Sequence, residues 1–153
     1  MEVFVHEMHY INPGLTLSEK VKCIPFSDEY FEEYKKIYNE CFYDMRKALE
    51  IKPYNFLHSY EQIADRVKDI FLLVEEQEII GSVACYGNEI DDLVVNRRFQ
   101  HQGYGRQLLL WGMNQIRKKS MEPITLHVAA WNERAISLYQ AVGFEVINTE
   151  RVR

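Results

Sequence analysis

Gln100-His101-Gln102-Gly103-Tyr104-Gly105-Arg106 is the run on which the fold turns. It follows a strand-like segment at residues 89–95 and opens a helix-like one at 106–119. Two glycines two residues apart allow a tight turn and close approach of a ligand, because neither carries a Cβ. The free N–H groups of such a turn, with the positive end of the following helix, form a cradle for an anion. A strand feeding such a cradle suits a pyrophosphate held with few basic side chains. Two nucleotide readings fail. There is no Gly-x-x-x-x-Gly-Lys-(Ser/Thr) run, and the loop lacks the third glycine of Gly-x-Gly-x-x-Gly.

Working outward, residues 3–10 alternate well enough for a first strand, ended by Asn12-Pro13-Gly14, and a second short strand is expected at 19–24. Ser27 caps a helix with Asp28 and Glu29 at its positive end, and Phe31, Tyr34, Tyr38, Cys41 and Met45 follow at helical spacing. Ser59-Tyr60-Glu61-Gln62 has the form of a capping box and predicts a shorter helix to about Lys68. Residues 70–74 and 79–86 flank a charged turn and read as a hairpin, with the 88–95 strand next. Beyond the loop come a helix at 106–119, a strand at 124–130, a helix capped by Asn132 and stopped by Gly143, and a closing strand at 144–149. Strands first, then alternating helices and strands, imply a mixed α/β sheet covered on both faces. No linker or repeat interrupts the chain, so residues 1–153 are read as one domain, with 1–18 an extra N-terminal strand and turn.

Composition narrows the function classes. Apolar residues at 47% and charged ones at 27% belong to a globular chain rather than a disordered one. No apolar run approaches the ~18 residues that span a bilayer, and the N-terminus lacks a signal pattern. A net charge of −5 argues against nucleic acid. Cys23, Cys41 and Cys85 are odd in number and far apart, so they read as reduced thiols of a cytoplasmic protein, with no metal site.

Three segments stand in order: Glu89-Ile90-Asp91-Asp92-Leu93-Val94-Val95, Gln100-x-x-Gly103-x-Gly105, and Asn132-x-x-Ala135-x-x-Leu138-Tyr139-x-x-x-Gly143-Phe144. Together they resemble the GCN5-related N-acetyltransferases (GNAT), whose acetyl-coenzyme A motif is (Arg/Gln)-x-x-Gly-x-(Gly/Ala). The resemblance is close over residues 70–144 and extends to the N-terminal part only in its order of elements. It implies the acyl-CoA N-acyltransferase fold, a mixed, mostly antiparallel central sheet with helices on both faces. It also implies transfer of acetyl from acetyl-CoA to a primary amine, of a small molecule or a protein N-terminus, by direct attack through a tetrahedral intermediate. Acetyl-CoA is then the cosubstrate, with no metal. By the same resemblance, Gln100, His101, Gln102, Gly103, Tyr104, Gly105 and Arg106 hold the coenzyme's pyrophosphate. Leu93, Val94 and Val95 offer main-chain bonds to its pantetheine arm, as in strand addition, and to the thioester carbonyl. Asn132 corresponds to the family's asparagine on the coenzyme's far side, and Tyr139 to a tyrosine that protonates the departing thiolate. From the residues alone, Asn132 is a helix cap and Tyr139 a core aromatic.

For the base that deprotonates the acceptor, family members often use a glutamate in the strand before the loop. Glu89 is therefore the first candidate and Asp91 the second. Alternation puts those two on one face and Asp92 on the other, while the plain reading is that all three are solvated edge charges. His127 ranks third. Arg97 and Arg98 either approach the phosphates or sit on a solvated turn. Residues 43–58, rich in aromatics, are expected at the acceptor end. The family's last strand has no counterpart before Arg153, so residues 1–10 are expected to fill its place, within the chain or in a homodimer by strand exchange. A non-catalytic acetyl-CoA sensor of the same fold is the alternative. Tyr139 and the strand carboxylates favour an enzyme, because a pure binder needs neither.

Overall fold

The computed structural model describes residues 2–14 and 18–152. Positions 1 and 15–17 of the expected N-terminal strand and turn lie outside them. Seven strands form one sheet in the order β2-β3-β4-β5-β6-β1-β7, with β1 Phe4–Tyr10, β2 Ile24–Pro25, β3 Ile70–Glu75, β4 Glu78–Tyr86, β5 Glu89–Val95, β6 Ile124–Ala129 and β7 Glu145–Arg151. All neighbours pair antiparallel except β5 and β6. Helix α1 (Phe31–Ala48) covers one face; α2 (Tyr104–Arg117) and α3 (Glu133–Val142) lie on the other.

The two faces have separate cores, α2 and α3 sharing one. Tyr34 and Ile37 of α1 join Leu72, Ile79 and Val94, while Leu109, Met113 and Ile116 of α2 join Met8, Ile90, Leu126 and Phe144. Glu32 and Glu33 open α1 and Arg46 and Lys47 close it, each sign opposite the helix end it meets. Glu33 also accepts the main-chain N–H of Ile79 at 2.9 Å, fixing α1 to the start of β4.

The N-terminal strand fills the expected gap within the same chain. β1 lies between β6 and β7 and pairs antiparallel with both. Two other expectations need correction. Strand β2 is only Ile24–Pro25, because 19–23 run against α2 instead of the sheet: Gln107 accepts from the Lys20 N–H at 2.6 Å and Asn114 donates to Glu19. The capping box at Ser59 forms, with the Gln62 side chain accepting from the N–H groups of His58 and Ser59 at 2.7 and 3.0 Å. No α-helix follows it. Successive i→i+3 bonds, Arg66 to Ile63 and Asp69 to Arg66, keep the segment in 3-10 turns at Tyr60–Gln62 and Val67–Asp69, with Ile63 drawn into the core.

Gly81 shows how tightly β4 meets the rest. A Cβ there would lie 2.6 Å from the Val94 carbonyl oxygen and 2.6 Å from Leu108 Cδ1. The first of these is backbone, so β5 itself would have to move. Gly81→Ala is expected to cost about 1–3 kcal/mol, a fall of roughly 3–10 °C in melting temperature that calorimetry would register.

Candidate active site

The site originates in a single extra residue. On β4, Ser82 faces Val94 and Ala84 faces Asp91, so Val83 alone stands opposite both Asp92 and Leu93. This is a β-bulge. Asp92 takes a left-handed φ of +46°, which aspartate tolerates better than most residues, and its N–H donates to Asp91 Oδ1 at 2.7 Å. A bulge bends its strand. The parallel partners β5 and β6 meet at Glu89 and Thr125 and have no further register pair. Beyond that point they diverge and leave a cleft of about 560 Å³.

The cleft gathers residues far apart in sequence. Asp91, Asp92, Leu93, Val94 and Val95 come from β5, Gln100, His101, Gly103, Tyr104 and Gly105 from the loop and the start of α2, and Asn132 and Tyr139 from the cap and body of α3. Helix α1 adds Cys41 and Asp44. Among the residues singled out in the sequence, Gln102, Arg106 and Glu89 do not line it. Glu89 lies 3.0 Å from Nδ1 of His127, which does. Arg97 donates to the Glu40 carbonyl and Arg98 pairs with Glu78, so both arginines are engaged away from the loop. In the 43–58 segment, Asp44 and Met45 line the cleft, while Arg46 stacks on Phe56 and donates to the Pro53 carbonyl.

The loop's geometry is explicit. His101 and Gly103 have φ of +65° and +88°, so the chain reverses there and leaves Gly103 at the N-cap of α2. Gly103 has no side chain to cap the helix, and the first N–H groups of α2 have no intrahelical acceptor. Gly105 differs. It has no positive φ, and a Cβ there would stand an ordinary 3.9 Å from Leu138 and Val95. The fold itself therefore has room for a Cβ at 105, where the chain lines the cleft. Gln100 donates to the Val95 carbonyl at 3.0 Å, locking the loop to the end of β5. The Asn132 side chain accepts from the Ala135 N–H at 3.2 Å, so its capping role is real and compatible with facing the cleft.

Electrostatics separates two groups in this cleft. Burial first, then the charge of Asp91, pushes the Asp92 carboxyl up from 3.8 to about 6. Such a group exchanges a proton close to neutral pH. Burial, with a smaller contribution from Asp91, raises the Tyr139 phenol from 10.0 to about 12, so it stays protonated as a donor. Sequence reasoning passed over Asp92 as a catalytic candidate, as well as Trp131 and Arg134. Trp131 is 49% exposed at the mouth, and Arg134 lies 2.9 Å from His101 Nδ1 beside the loop. One signal pointed to Asp92: two consecutive aspartates are poor strand formers and mark a break in the pleat.

Residues 28–144 match the family model described as Acetyltransferase (GNAT) family. The chain belongs to the GNAT family. Similar curated proteins are mycothiol acetyltransferases. That of Propionibacterium freudenreichii is 37% identical over 62 residues, covering 40% of this GNAT chain and 20% of the relative. That of Renibacterium salmoninarum is 44% identical over 45 residues, covering 29% and 13%. The chain thus spans a fifth or less of these relatives. Among solved structures, a GNAT acetyltransferase from Colwellia psychrerythraea superposes with a TM-score of 0.74 at 12% identity, over 97% of this chain and 54% of that one. A ribosomal-protein-alanine N-acetyltransferase from Brucella melitensis gives 0.66 at 17% identity, over 82% and 85%. At such identities the likeness shows the acyltransferase fold of this GNAT chain. Among the described residues, no helix is long and apolar enough to cross a membrane, and no group of three His, Cys, Asp or Glu side chains could hold a metal ion.

Proposed function

We propose that this chain transfers the acetyl group of acetyl-CoA to a primary amine in the cleft between β5 and β6. The observation that carries the reading is the bulge at Asp92. It opens the sheet next to the glycine loop, so that a carboxyl titrating near neutral pH and a protonated phenol line one cleft. The residues fit the coenzyme: unpaired N–H groups at the start of α2 suit a pyrophosphate, Gly105 leaves room beside them, and the diverging edge of β5 suits an extended arm. Bound there, the coenzyme supplies an activated thioester carbonyl.

Asp92 takes the proton from the acceptor ammonium, in place of Glu89, the first candidate by resemblance, and Asp91, the second. Glu89 stands outside the cleft, and Asp91 is the more exposed of the two aspartates. Asp44, Asp91 and Asp92 give the acceptor side a negative character that draws a cation. Tyr139 donates a proton to the departing thiolate. Tyr139→Phe is expected to lower turnover on the order of 10²-fold, the low end of acid catalysis because a thiolate leaves readily. Coenzyme binding should stay nearly intact.

The test is release of free thiol when the protein is incubated with acetyl-CoA and a panel of small amines and peptide N-termini. Thiol release with an acetylated amine product is the expected result. Tight coenzyme binding with no release across the panel would assign the chain to the non-catalytic sensor.

A further inference from the structure

We infer that Tyr86, the last residue of β4, is the positioning residue for the proposed base, its hydroxyl holding Oδ2 of Asp92 at the edge of the cleft. The inference rests on Asp92 being that base. Tyr86 pairs with Glu89 across a turn containing Gly87, whose φ is +62°. From there its ring reaches back along β5, and its hydroxyl donates to Asp92 Oδ2 at 3.1 Å, six residues away.

A left-handed bulge residue has an unusual side-chain direction, and the pleat alone does not fix it. The bond from Tyr86 supplies the missing constraint. Every element packed against Asp92 contributes to its surroundings. Asp91 on β5 opposes its ionisation, the Tyr38 hydroxyl on α1 is a second donor to it, and the Arg66 guanidinium in the segment before β3 favours its charge. Tyr34 on α1 lies close enough to feel the same carboxylate. The hydroxyl of Tyr34 and Nε of Arg66 are buried without a hydrogen-bond partner. Tyr86 is the donor whose contact with Oδ2 is set by the short β4–β5 connection itself.

The sign follows from the bond. A donor to the ionised form lowers a carboxyl's pKa, so removing it raises Asp92 above about 6. Tyr86→Phe keeps the ring and its packing and loses only the donor. We expect the acidic limb of kcat/KM to move up by roughly 1 pH unit, about a fivefold loss at pH 6 that approaches tenfold at lower pH, with the rate at pH 9 little changed. The ¹³C-carboxyl titration of Asp92, measured on folded protein without substrate, should move by the same amount. A purely structural tyrosine would move neither. If both curves stay in place while Asp92→Asn is inactive, Tyr86 only packs and the inference is overturned, with the base left standing. If Asp92→Asn turns over like the wild type, the base and its positioning residue fall together, and a shifted carboxyl titration would then report a contact without catalytic consequence.

Discussion

Replacing Asp92 by asparagine is expected to reduce turnover by roughly 10²–10⁴-fold and, at neutral pH, to raise the melting temperature. The two effects share one cause. Burial makes the charged carboxylate costly, and the folded state holds its proton up to about pH 6 where the unfolded chain releases it near 3.8. Below the unfolded value the group is protonated in both states and costs nothing. Between the two values the folded state binds the extra proton, so stability falls as pH rises and the full cost is present above about 6. Each tenfold change in proton affinity is worth about 1.4 kcal/mol, which sets an upper limit of roughly 3 kcal/mol. Asparagine accepts the Tyr86 hydroxyl without carrying charge. Melting curves of the two proteins should therefore coincide near pH 4 and separate by pH 7, with the variant higher, while its acetylation rate collapses. A variant that is both active and no more stable would remove Asp92 from the proposed chemistry.

Deleting residues 1–10 is expected to abolish cooperative folding. β1 is an interior strand in the sheet although it comes first in the chain, with six register partners on β6 and six on β7. Its Met8 is fully buried, and Tyr10 stacks on Phe144 with ring centroids 5.7 Å apart. Removing it strips β7 of its partner and leaves the unpaired edge of β6 against a hollowed core. The milder Met8→Ala should cost about 2–5 kcal/mol and lower the melting temperature by roughly 5–15 °C. A truncated protein that melts like the full chain would show that the β6–β1–β7 pairing is dispensable.

Much of this protein was legible in its residues. The hairpin at Glu76 and Gln77, the turn at Gly103, and the cap at Asn132 with its stop at Gly143 are local devices, and each reads directly as turn or cap chemistry, though the helix after the turn begins at Tyr104, two residues before the expected 106. Segments whose backbone bonds could be met in two ways were not legible. Residues 19–23 hold strand-like residues, yet side chains of α2 meet them instead of the sheet. The capping box at Ser59 formed, but i→i+3 bonds and the burial of Ile63 hold the residues after it in 3-10 turns instead of an α-helix.

The glycine loop, the order of elements and the three carboxylates on the strand before the loop are all readable from the residues, because these are properties of neighbours along the chain. The folded sheet settles what the strand alone leaves open: both aspartates line the cleft, Asp92 the less exposed of the two, and Glu89 stays outside it. Strict alternation sends Asp92 away from Asp91, but the extra residue opposite Val83 breaks the period. Whether a strand bulges depends on the register of its partner, and no stretch of β5 carries that information alone. Likewise, Tyr86 and Asp92 became partners through the β4–β5 pairing, and Tyr139 came to face the same cleft because α3 packs on the far side of the divergence.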